Sequence, residues 1–168
     1  MQTVSLRAAQ LRDAEQIAAI YNYEVENTTA TFDLVPRTIE SQRQWLEARS
    51  GAFSAIVAEE SSAGVIGFAA LSTYRDRAGY RTTVENSVYV DRNHQRKGVG
   101  KLLLTALVDI AKDSGFHTII ARIDSQSRGS LALHKSLNFV EVGIEREIGR
   151  KFGRWLDSVI MQRMLHET

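Results

Sequence analysis

Two hydrophobic periods alternate along the chain and predict a succession of strands and helices. A short alternating stretch at residues 3–7 predicts a first strand. Apolar residues then recur at helical spacing over residues 14–21, and Asp13 is placed to cap this helix. A Thr-rich loop at 27–36 precedes a second amphipathic segment at 38–50. The first third of the chain therefore predicts a strand, a helix, a loop and a second helix.

The middle of the chain predicts a β-hairpin followed by a strand, a loop and a long helix. Residues 52–59 and 65–74 are apolar and β-favouring, and turn-forming residues separate them. Residues 82–90 predict the next strand. From Val99 an apolar stripe at helical spacing predicts a helix that ends at Gly115. The stripe consists of Leu102, Leu103, Ala106, Leu107, Ile110 and Ala111.

The last third of the chain completes a mixed α/β order. Residues 117–123 predict a strand, residues 130–137 a short helix, and residues 139–148 and 155–164 two terminal strands. The chain has no internal repeat, low-complexity stretch or linker. We therefore expect a single domain over residues 1–168.

Composition and charge narrow the classes of function. The 168 residues are 43% hydrophobic, which is typical of a globular domain, and 21 Lys+Arg against 20 Asp+Glu leave a net charge of +1. This balance gives no reason to expect nucleic acid or an anionic membrane as a partner. The absence of cysteine excludes disulfides, thiolate metal sites and a cysteine nucleophile. No apolar run approaches the ~20 residues of a membrane span, so we expect a soluble, cytoplasmic protein.

The loop between the strand at 82–90 and the helix that follows it carries the strongest chemical signal. Gly98 and Gly100 let backbone N–H groups turn inward, and the first helical turn adds unpaired donors and the positive end of its dipole. The loop therefore predicts an anion-binding site, although such glycines also occur in ordinary exposed connections. A Walker A loop needs Ser or Thr after Lys101, and the third glycine of the dinucleotide fingerprint would fall at Leu103, so neither motif is present.

The string Gln95-Arg96-Lys97-Gly98-Val99-Gly100 resembles the Gln/Arg-x-x-Gly-x-Gly/Ala motif of the GNAT N-acetyltransferase superfamily, in which this loop binds the CoA pyrophosphate. Residues 27–32, 80–85 with 87–90, 131–134 and 151–157 are similar to the phosphinothricin and methionine sulfoximine acetyltransferase branch. The resemblance implies an α/β fold with a mixed, mostly antiparallel sheet, splayed between its fourth and fifth strands and flanked by helices. It also implies acetyl-CoA in the gap and a homodimer.

The resemblance assigns two groups of contacts to acetyl-CoA. Backbone groups at Val88, Tyr89 and Val90 are expected to pair with the pantetheine arm and to supply an N–H to the thioester oxygen. The loop and nearby side chains complete the set, which is Gln95, Arg96, Lys97, Gly98, Val99, Gly100, Lys101, Ser127 and Ser130. The branch has Asn where this chain has Ser127, so a weaker or water-mediated bond is expected there. It has Gly where this chain has Asn138, which can still adopt a left-handed helix cap.

Acetyl transfer needs a neutral amine and a stabilised leaving thiolate, and each requirement has a candidate residue. Glu85 is the candidate general base, taking a proton from the substrate ammonium directly or through water. His134 falls where many GNAT enzymes carry a tyrosine near the CoA sulfur, and its imidazole is expected to protonate or hydrogen-bond the thiolate. By residue type alone, a Glu on a strand edge is more often simply solvated and a helical His is as often structural, so both roles rest on the resemblance.

Arginines after the strand at 65–74 indicate a substrate with an anionic group. A guanidinium is the natural partner of a carboxylate or phosphinate, and Arg75 is our choice for this contact. The predicted substrate-binding set is Phe32, Tyr74, Arg75, Asp76, Arg77, Asn86 and Ser87. Together with the resemblance, it predicts acetylation of the α-amine of a small amino-acid-like compound, such as methionine sulfoximine, methionine sulfone or phosphinothricin. Asp76 stands where the methionine sulfone enzymes have a non-acidic residue. The resemblance therefore specifies the type of reaction more closely than the identity of the substrate.

Other functions stay open or are disfavoured. The acceptor is alternatively a protein N-terminus or a polyamine, although a polyamine site calls for acidic residues where Arg75 and Arg77 stand. A third reading is an acyl-CoA-binding sensor without catalysis. The four histidines show no metal-ligand spacing, so no metal is predicted, and the Gly-x-Ser-x-Gly elbow of a serine hydrolase is absent.

Overall fold

The computed structural model describes residues 3–166, which form one mixed seven-stranded sheet flanked by four α-helices. The strands are β1 (Val4–Ala8), β2 (Ile56–Glu60), β3 (Gly64–Thr73), β4 (Thr83–Val90), β5 (Thr118–Asp124), β6 (Val140–Lys151) and β7 (Arg154–Met164). The helices are α1 (Ala14–Asn27), α2 (Ile39–Glu47), α3 (Val99–Asp113) and α4 (Arg128–Ser136). Every predicted strand and helix is present, so the predicted α/β class is confirmed.

The sheet has the order β1-β2-β3-β4-β5-β7-β6, and all its pairs are antiparallel except β4 with β5. This parallel pair joins only three residues of each strand, Thr83 to Glu85 of β4 with Thr118 to Ile120 of β5. Beyond Glu85 the two strands diverge, because β4 stays paired with β3 as far as Val90 while β5 stays paired with β7 as far as Asp124. The predicted splay between the fourth and fifth strands is confirmed.

Helix α3 fixes the position of the loop at residues 91–98, here called the glycine loop, against the sheet. Its buried face presents Leu103, Leu104 and Leu107 to β3 and β4, and these side chains belong to the larger hydrophobic cluster. Leu102, which the pattern places in the stripe, is instead 41% exposed, so the stripe is centred one residue further along. Burial of this face anchors the helix so that its N-terminus lies beside the end of β4.

Asp13 occupies the N-cap position of α1, as predicted, but its side chain has other partners. Among the described residues the Asp13 side chain makes no capping hydrogen bond to this helix. Its carboxylate accepts a hydrogen bond from the backbone N–H of Gln10 at 2.7 Å and forms a two-pronged ion pair with Arg7 at 2.7 and 2.9 Å. Hydrogen bonding from Arg7 lowers the pKa of Asp13. The residue therefore ties β1 to the start of α1, since its strongest partner lies on the strand.

The strand predicted at 52–59 begins later than the pattern suggests. Residues Gly51–Phe53 form a 3-10 turn instead, and Gly51 has φ +57°. The ring of Phe53 packs 5.8 Å from that of Phe116, so its apolar character serves packing between a turn and a loop rather than a strand. The helix predicted at 38–50 also ends earlier, at Glu47, while Thr38 caps its start by accepting from the Ser41 N–H at 3.0 Å.

None of the helices within residues 3–166 is long and apolar enough to cross a membrane.

Candidate active site

Two adjoining hollows occupy the gap between β4 and β5. The first, here called the splay cavity, has a volume of about 360 Å³ and lies between Glu85, Arg122 and Glu145 on one side and His134 on the other. The second, here called the loop groove, has a volume of about 550 Å³ and runs from the gap to the glycine loop. Both hollows are lined by Ala30, Val88, Ser127 and Ser130. An elongated ligand can therefore extend from one hollow into the other.

The glycine loop is shaped to receive an anion at the far end of the groove. Gly98 precedes α3 with φ +84°, and Arg96 also has a positive φ, +60°. Left-handed residues in such a loop turn successive N–H groups toward one side, where they add to the unpaired donors of the helix N-terminus. Arg96 and Lys101 contribute positive charge to the groove wall. The backbone and charges together suit a diphosphate.

Hydrogen bonds fix the glycine loop to the sheet. The backbone N–H of Asp91 donates to the carbonyl of Ile66 on β3 at 2.8 Å, and its carboxylate accepts from the Asn93 N–H at 2.9 Å. The Gln95 side chain donates to the carbonyl of Val90 at 3.4 Å. The loop therefore leaves β4 along a defined path.

The end of β4 offers a free backbone edge to this gap. Within residues 3–166, no strand pairs with the β5-facing side of β4 beyond Glu85. Val88 lines both hollows, Tyr89 the splay cavity and Val90 the loop groove. Unpaired strand edges hydrogen-bond extended ligands readily, so this edge suits an extended chain with amide groups.

Glu85 is a half-buried carboxylate at the point where the strands part. Its Oε2 lies 3.8 Å from Nε of Arg122, whose Nη1 lies 3.5 Å from Oε2 of Glu145. Burial raises the pKa of Glu85, the positive charge of Arg122 opposes this rise, and the negative charge of Glu145 reinforces it. A carboxyl with a raised pKa is a better proton acceptor than an ordinary glutamate.

Arg122 and Glu145 also line the cavity, and neither is among the site residues predicted from the sequence. Arg122 interrupts the apolar run of β5, which is a signal that its side chain leaves the core. Glu145 lies on the edge strand β6 among exposed residues and carries no comparable signal. Its Oε2 is buried and accepts no hydrogen bond from any described residue. Asp124 also lines the cavity and accepts a hydrogen bond from the Thr29 hydroxyl.

His134 is buried on the opposite side of the cavity in a fixed orientation. Its Nδ1 lies 2.8 Å from the carbonyl oxygen of Ser130, one helical turn earlier in α4. Its Nε2 lies 2.9 Å from Nδ2 of Asn86 on β4. Burial lowers the pKa of His134, and the bond to Ser130 only partly opposes this. The imidazole is therefore neutral near neutral pH.

The loop after α1 forms part of the cavity wall and is held by buried hydrogen bonds. Lys151 is only 3% exposed, and its ammonium donates to the carbonyl of Thr31 at 2.8 Å and to that of Glu24 at 3.3 Å. The Tyr21 hydroxyl adds bonds to Thr31 and Asp33. These contacts fix the loop that carries Phe32, whose ring packs against Gly149 so closely that a Cβ there would lie 2.6 Å from it.

The predicted substrate loop lies outside the cavity lining. Arg75 is exposed, and its guanidinium carbon stacks 4.9 Å from the centre of the Tyr74 ring and 5.5 Å from that of Tyr80. Asp76 and Arg77 are also exposed. The loop nevertheless borders the cavity, because the Tyr74 ring centre lies 6.0 Å from the guanidinium carbon of Arg122.

Most of the other predicted site residues converge on the two hollows. Those in the splay cavity are Phe32, Glu85, Asn86, Ser87, Val88, Tyr89, Ser127, Ser130 and His134. Those in the loop groove are Val88, Val90, Gln95, Arg96, Gly98, Gly100, Lys101, Ser127 and Ser130. Lys97 and the buried Val99 line neither hollow. Ser127 precedes α4 but makes no side-chain cap, and Asn138 adopts the expected left-handed conformation with φ +62°. Across residues 3–166 no cluster of three metal-capable side chains occurs.

The sequence matches a family model described as "Acetyltransferase (GNAT) domain" over residues 6–160. It is 42% identical to the L-amino acid N-acyltransferase MnaT of Escherichia coli (strain K12), over 98% of this chain and 95% of that protein. It is 38% identical to the L-methionine sulfoximine/L-methionine sulfone acetyltransferase of Pseudomonas paraeruginosa, over 99% of this chain and 97% of that protein. The resemblance to this branch is confirmed.

Solved structures give the same result for the fold. The Salmonella typhimurium protein yncA, solved with its cofactor acetyl-CoA, superposes with a TM-score of 0.93 at 38% identity, over 98% of this chain and 95% of that chain. A phosphinothricin acetyltransferase from Sinorhizobium meliloti, in complex with AcCoA, gives a TM-score of 0.92 at 36% identity, over 96% and 88%. The splayed sheet, the glycine loop before α3 and these similarities lead to one conclusion: this chain belongs to the GNAT family of N-acetyltransferases.

Proposed function

We propose that this chain transfers the acetyl group of acetyl-CoA to the α-amine of a small amino-acid-like compound, with Glu85 as general base. The observation that carries the proposal is the position of Glu85, a half-buried carboxylate with a raised pKa at the junction of the splay cavity and the free edge of β4. The names of the relatives, which act on L-amino acids or on methionine sulfoximine and sulfone, support this class of acceptor. The single domain and the cytoplasmic location stay predictions.

Protein groups along the gap match successive parts of acetyl-CoA. The N–H groups around Gly98 and Gly100, with Arg96 and Lys101, would hold the diphosphate. The edge of β4 at residues 88–90 would pair with the amides of the pantetheine arm and direct an N–H at the thioester oxygen. The bound thioester supplies an activated acetyl group in the splay cavity.

The proposed reaction balances as a direct transfer. Glu85 removes one proton from the acceptor ammonium, either directly or through water, and so frees the nitrogen lone pair. The nitrogen forms a bond to the acetyl carbon, and the bond between that carbon and sulfur breaks, with the electron pair leaving on sulfur. A second nitrogen proton is lost as the amide forms, and the thiolate takes up one proton. The products are an N-acetyl compound, CoA with a free thiol, and one proton released to solvent.

The charges of the cavity suit an amino group that adjoins a carboxylate. Glu85, Asp124 and Glu145 are negative and Arg122 is positive, so both ends of an amino-acid zwitterion find an opposite charge close together. Arg75 remains our predicted carboxylate contact from the loop, while Arg122 offers a second guanidinium inside the cavity. A diamine is the second candidate acceptor, because acidic side chains line the cavity itself.

We also propose that this chain forms a homodimer, as the family resemblance implies. Strand β6 lies at the edge of the sheet, and several apolar side chains are exposed on it, on the turn to β7 and at the start of β7: Val140, Val142, Ile144, Ile148, Phe152 and Trp155. Large exposed apolar surfaces on an edge strand favour association. We expect multi-angle light scattering to give twice the mass of one chain, and a monomer at micromolar concentration would contradict this part.

The first enzymatic test is thiol release with acetyl-CoA and a panel of amines. The panel contains methionine sulfoximine, methionine sulfone, phosphinothricin, the decarboxylated amine of each, a diamine and a short peptide with a free N-terminus. We expect turnover with the amino-acid analogues, and Glu85→Gln should lower kcat about 10²- to 10⁴-fold without weakening acetyl-CoA binding. If Arg75 or Arg122 binds the substrate carboxylate, replacing it (Arg75→Ala or Arg122→Gln) should raise KM for the amino acids but not for the decarboxylated amines. If wild-type protein binds acetyl-CoA but acetylates none of the panel, the result would contradict the proposed activity and favour an acyl-CoA-binding sensor without catalysis.

The acid side of the pH profile tests the electrostatic environment of Glu85. A base must be deprotonated, so kcat/KM should fall as the pH drops through its pKa, which lies above the ordinary value. Arg122→Gln removes the positive neighbour and should move this fall to higher pH. Glu145→Gln removes the negative neighbour and should move it to lower pH. Identical profiles in both variants would contradict the assignment of Glu85.

A matched pair of glycine variants tests the diphosphate site. Gly98 and Gly115 have similar left-handed φ values, +84° and +79°, and a Cβ added at either has no atom within 4 Å. Alanine should therefore lower the free energy of unfolding by about 1–2 kcal/mol at both positions. Only Gly98→Ala should also weaken acetyl-CoA binding, by about tenfold, because only Gly98 lines the groove. Thermal unfolding and calorimetric titration measure the two effects, and equal affinities in both variants would exclude this loop as the diphosphate site.

A further inference from the structure

We propose that His134 is a positioning residue that fixes the Asn86 side chain, and that Oδ1 of Asn86 accepts a hydrogen bond from the acceptor nitrogen during acetyl transfer. The inference rests on the proposed N-acetyltransferase function and deepens it. It assigns His134 a role other than proton donor to the leaving sulfur. The basis is the hydrogen-bond pattern around the imidazole.

The contacts of His134 determine its tautomer. Its Nδ1 lies 2.8 Å from the carbonyl oxygen of Ser130, which can only accept a hydrogen bond, so Nδ1 carries a proton. The Ser130 hydroxyl is more distant from the same nitrogen, at 3.5 Å, and does not change this choice. The ring is 3% exposed and packs edge-on against Phe139, an environment that favours the neutral form. In a neutral ring with Nδ1–H, the other nitrogen, Nε2, is an acceptor.

The tautomer then decides which way the Asn86 amide faces. Nε2 lies 2.9 Å from the end of this amide, and an acceptor there requires the NH₂ group rather than the oxygen. The reversed amide would need a proton on both ring nitrogens, which means a buried imidazolium without a described carboxylate in contact with it. The amide oxygen of Asn86 therefore points away from His134.

This oxygen has no partner in the described part of the chain. Asn86 is 8% exposed, and its Oδ1 is one of three buried side-chain atoms there without a hydrogen bond. A buried amide oxygen without a donor costs free energy unless a ligand or water supplies one. Asn86 lines the splay cavity, so a ligand in that cavity can supply the donor.

The position of Asn86 makes the acceptor nitrogen the fitting donor. Asn86 follows Glu85 directly, at the first residue of β4 that has lost its partner on β5. Successive strand side chains point to opposite faces, so the carboxylate and the amide oxygen approach the gap from two sides. Asn86 lines the splay cavity but not the loop groove, so it lies away from the expected position of the cofactor diphosphate.

The chemistry gives this contact its effect on rate. As the nitrogen bonds to the acetyl carbon it gains positive charge before it loses its second proton, and its N–H groups become stronger donors. A fixed acceptor oxygen stabilises that charge more in the transition state than in the ground state. His134 contributes by holding the oxygen in place, because its own Nε2 carries no proton and already binds Asn86.

Three variants separate positioning from proton donation. Asn86→Ala and His134→Ala should each lower kcat about 10- to 100-fold, with acetyl-CoA affinity unchanged. The double variant should be no worse than the poorer single variant, because both act through one hydrogen bond. His134→Gln should recover most of the activity lost in His134→Ala, since a Gln oxygen can accept from the Asn86 amide although it has no proton to donate. The exposed His117→Ala serves as the control for loss of an imidazole and should keep wild-type kcat.

The opposite results would overturn the inference. If His134→Gln is as impaired as His134→Ala, His134 acts chemically by itself. The same conclusion follows if the losses multiply in the double variant. Nitrogen-15 NMR of the imidazole in the wild-type protein reads the tautomer without any substitution, and a proton on Nε2 instead of Nδ1 would also overturn it. Failure of the proposed function is distinguishable, because in that case wild-type protein acetylates none of the amines while the tautomer and the variants' folding are unaffected.

Discussion

The separation of β4 from β5 after three paired residues is the constraint on which the site depends. Each strand is held on its other side along most of its length, β4 by β3 and β5 by β7, so the gap cannot close by local adjustment. The separation leaves backbone groups of β4 unpaired beside a cavity. Main-chain donors and acceptors are costly to leave without partners, so the fold maintains an edge that a ligand can complete.

The charged groups around this gap lie close together without forming tight ion pairs. Glu85 and Glu145 share the single guanidinium of Arg122 at distances of 3.8 and 3.5 Å, longer than good hydrogen bonds. A tight pair with Arg122 would lower the pKa of Glu85, whereas burial raises it and prevails here. The loose contact therefore keeps Glu85 able to take up a proton and leaves guanidinium donors for a substrate.

Rigid support for the cavity comes from residues that take no part in chemistry. The buried ammonium of Lys151 donates to the main-chain carbonyls of Glu24 in α1 and of Thr31 in the loop after it, and Tyr21 also bonds to Thr31. On the other wall, the Ser130 carbonyl orients His134, which in turn orients Asn86. Both walls are thus held in place before any ligand arrives, which is the arrangement that electrostatic stabilisation of a transition state requires.

The sequence alone determined the order of elements, the start of α3 at Val99 and the glycine loop before it, because these depend on short-range periodicity and on glycine geometry. The family motifs then allowed Glu85, Asn86, Ser127 and His134 to be selected, and the structure brings all four to one cavity. The partners of Asp13, the pairing of Arg122 with Glu145 and the contact between His134 and Asn86 were decided only by the tertiary structure. Each depends on groups from separate strands or helices, and the distances between them are set by how the sheet twists and splays, which no local pattern encodes.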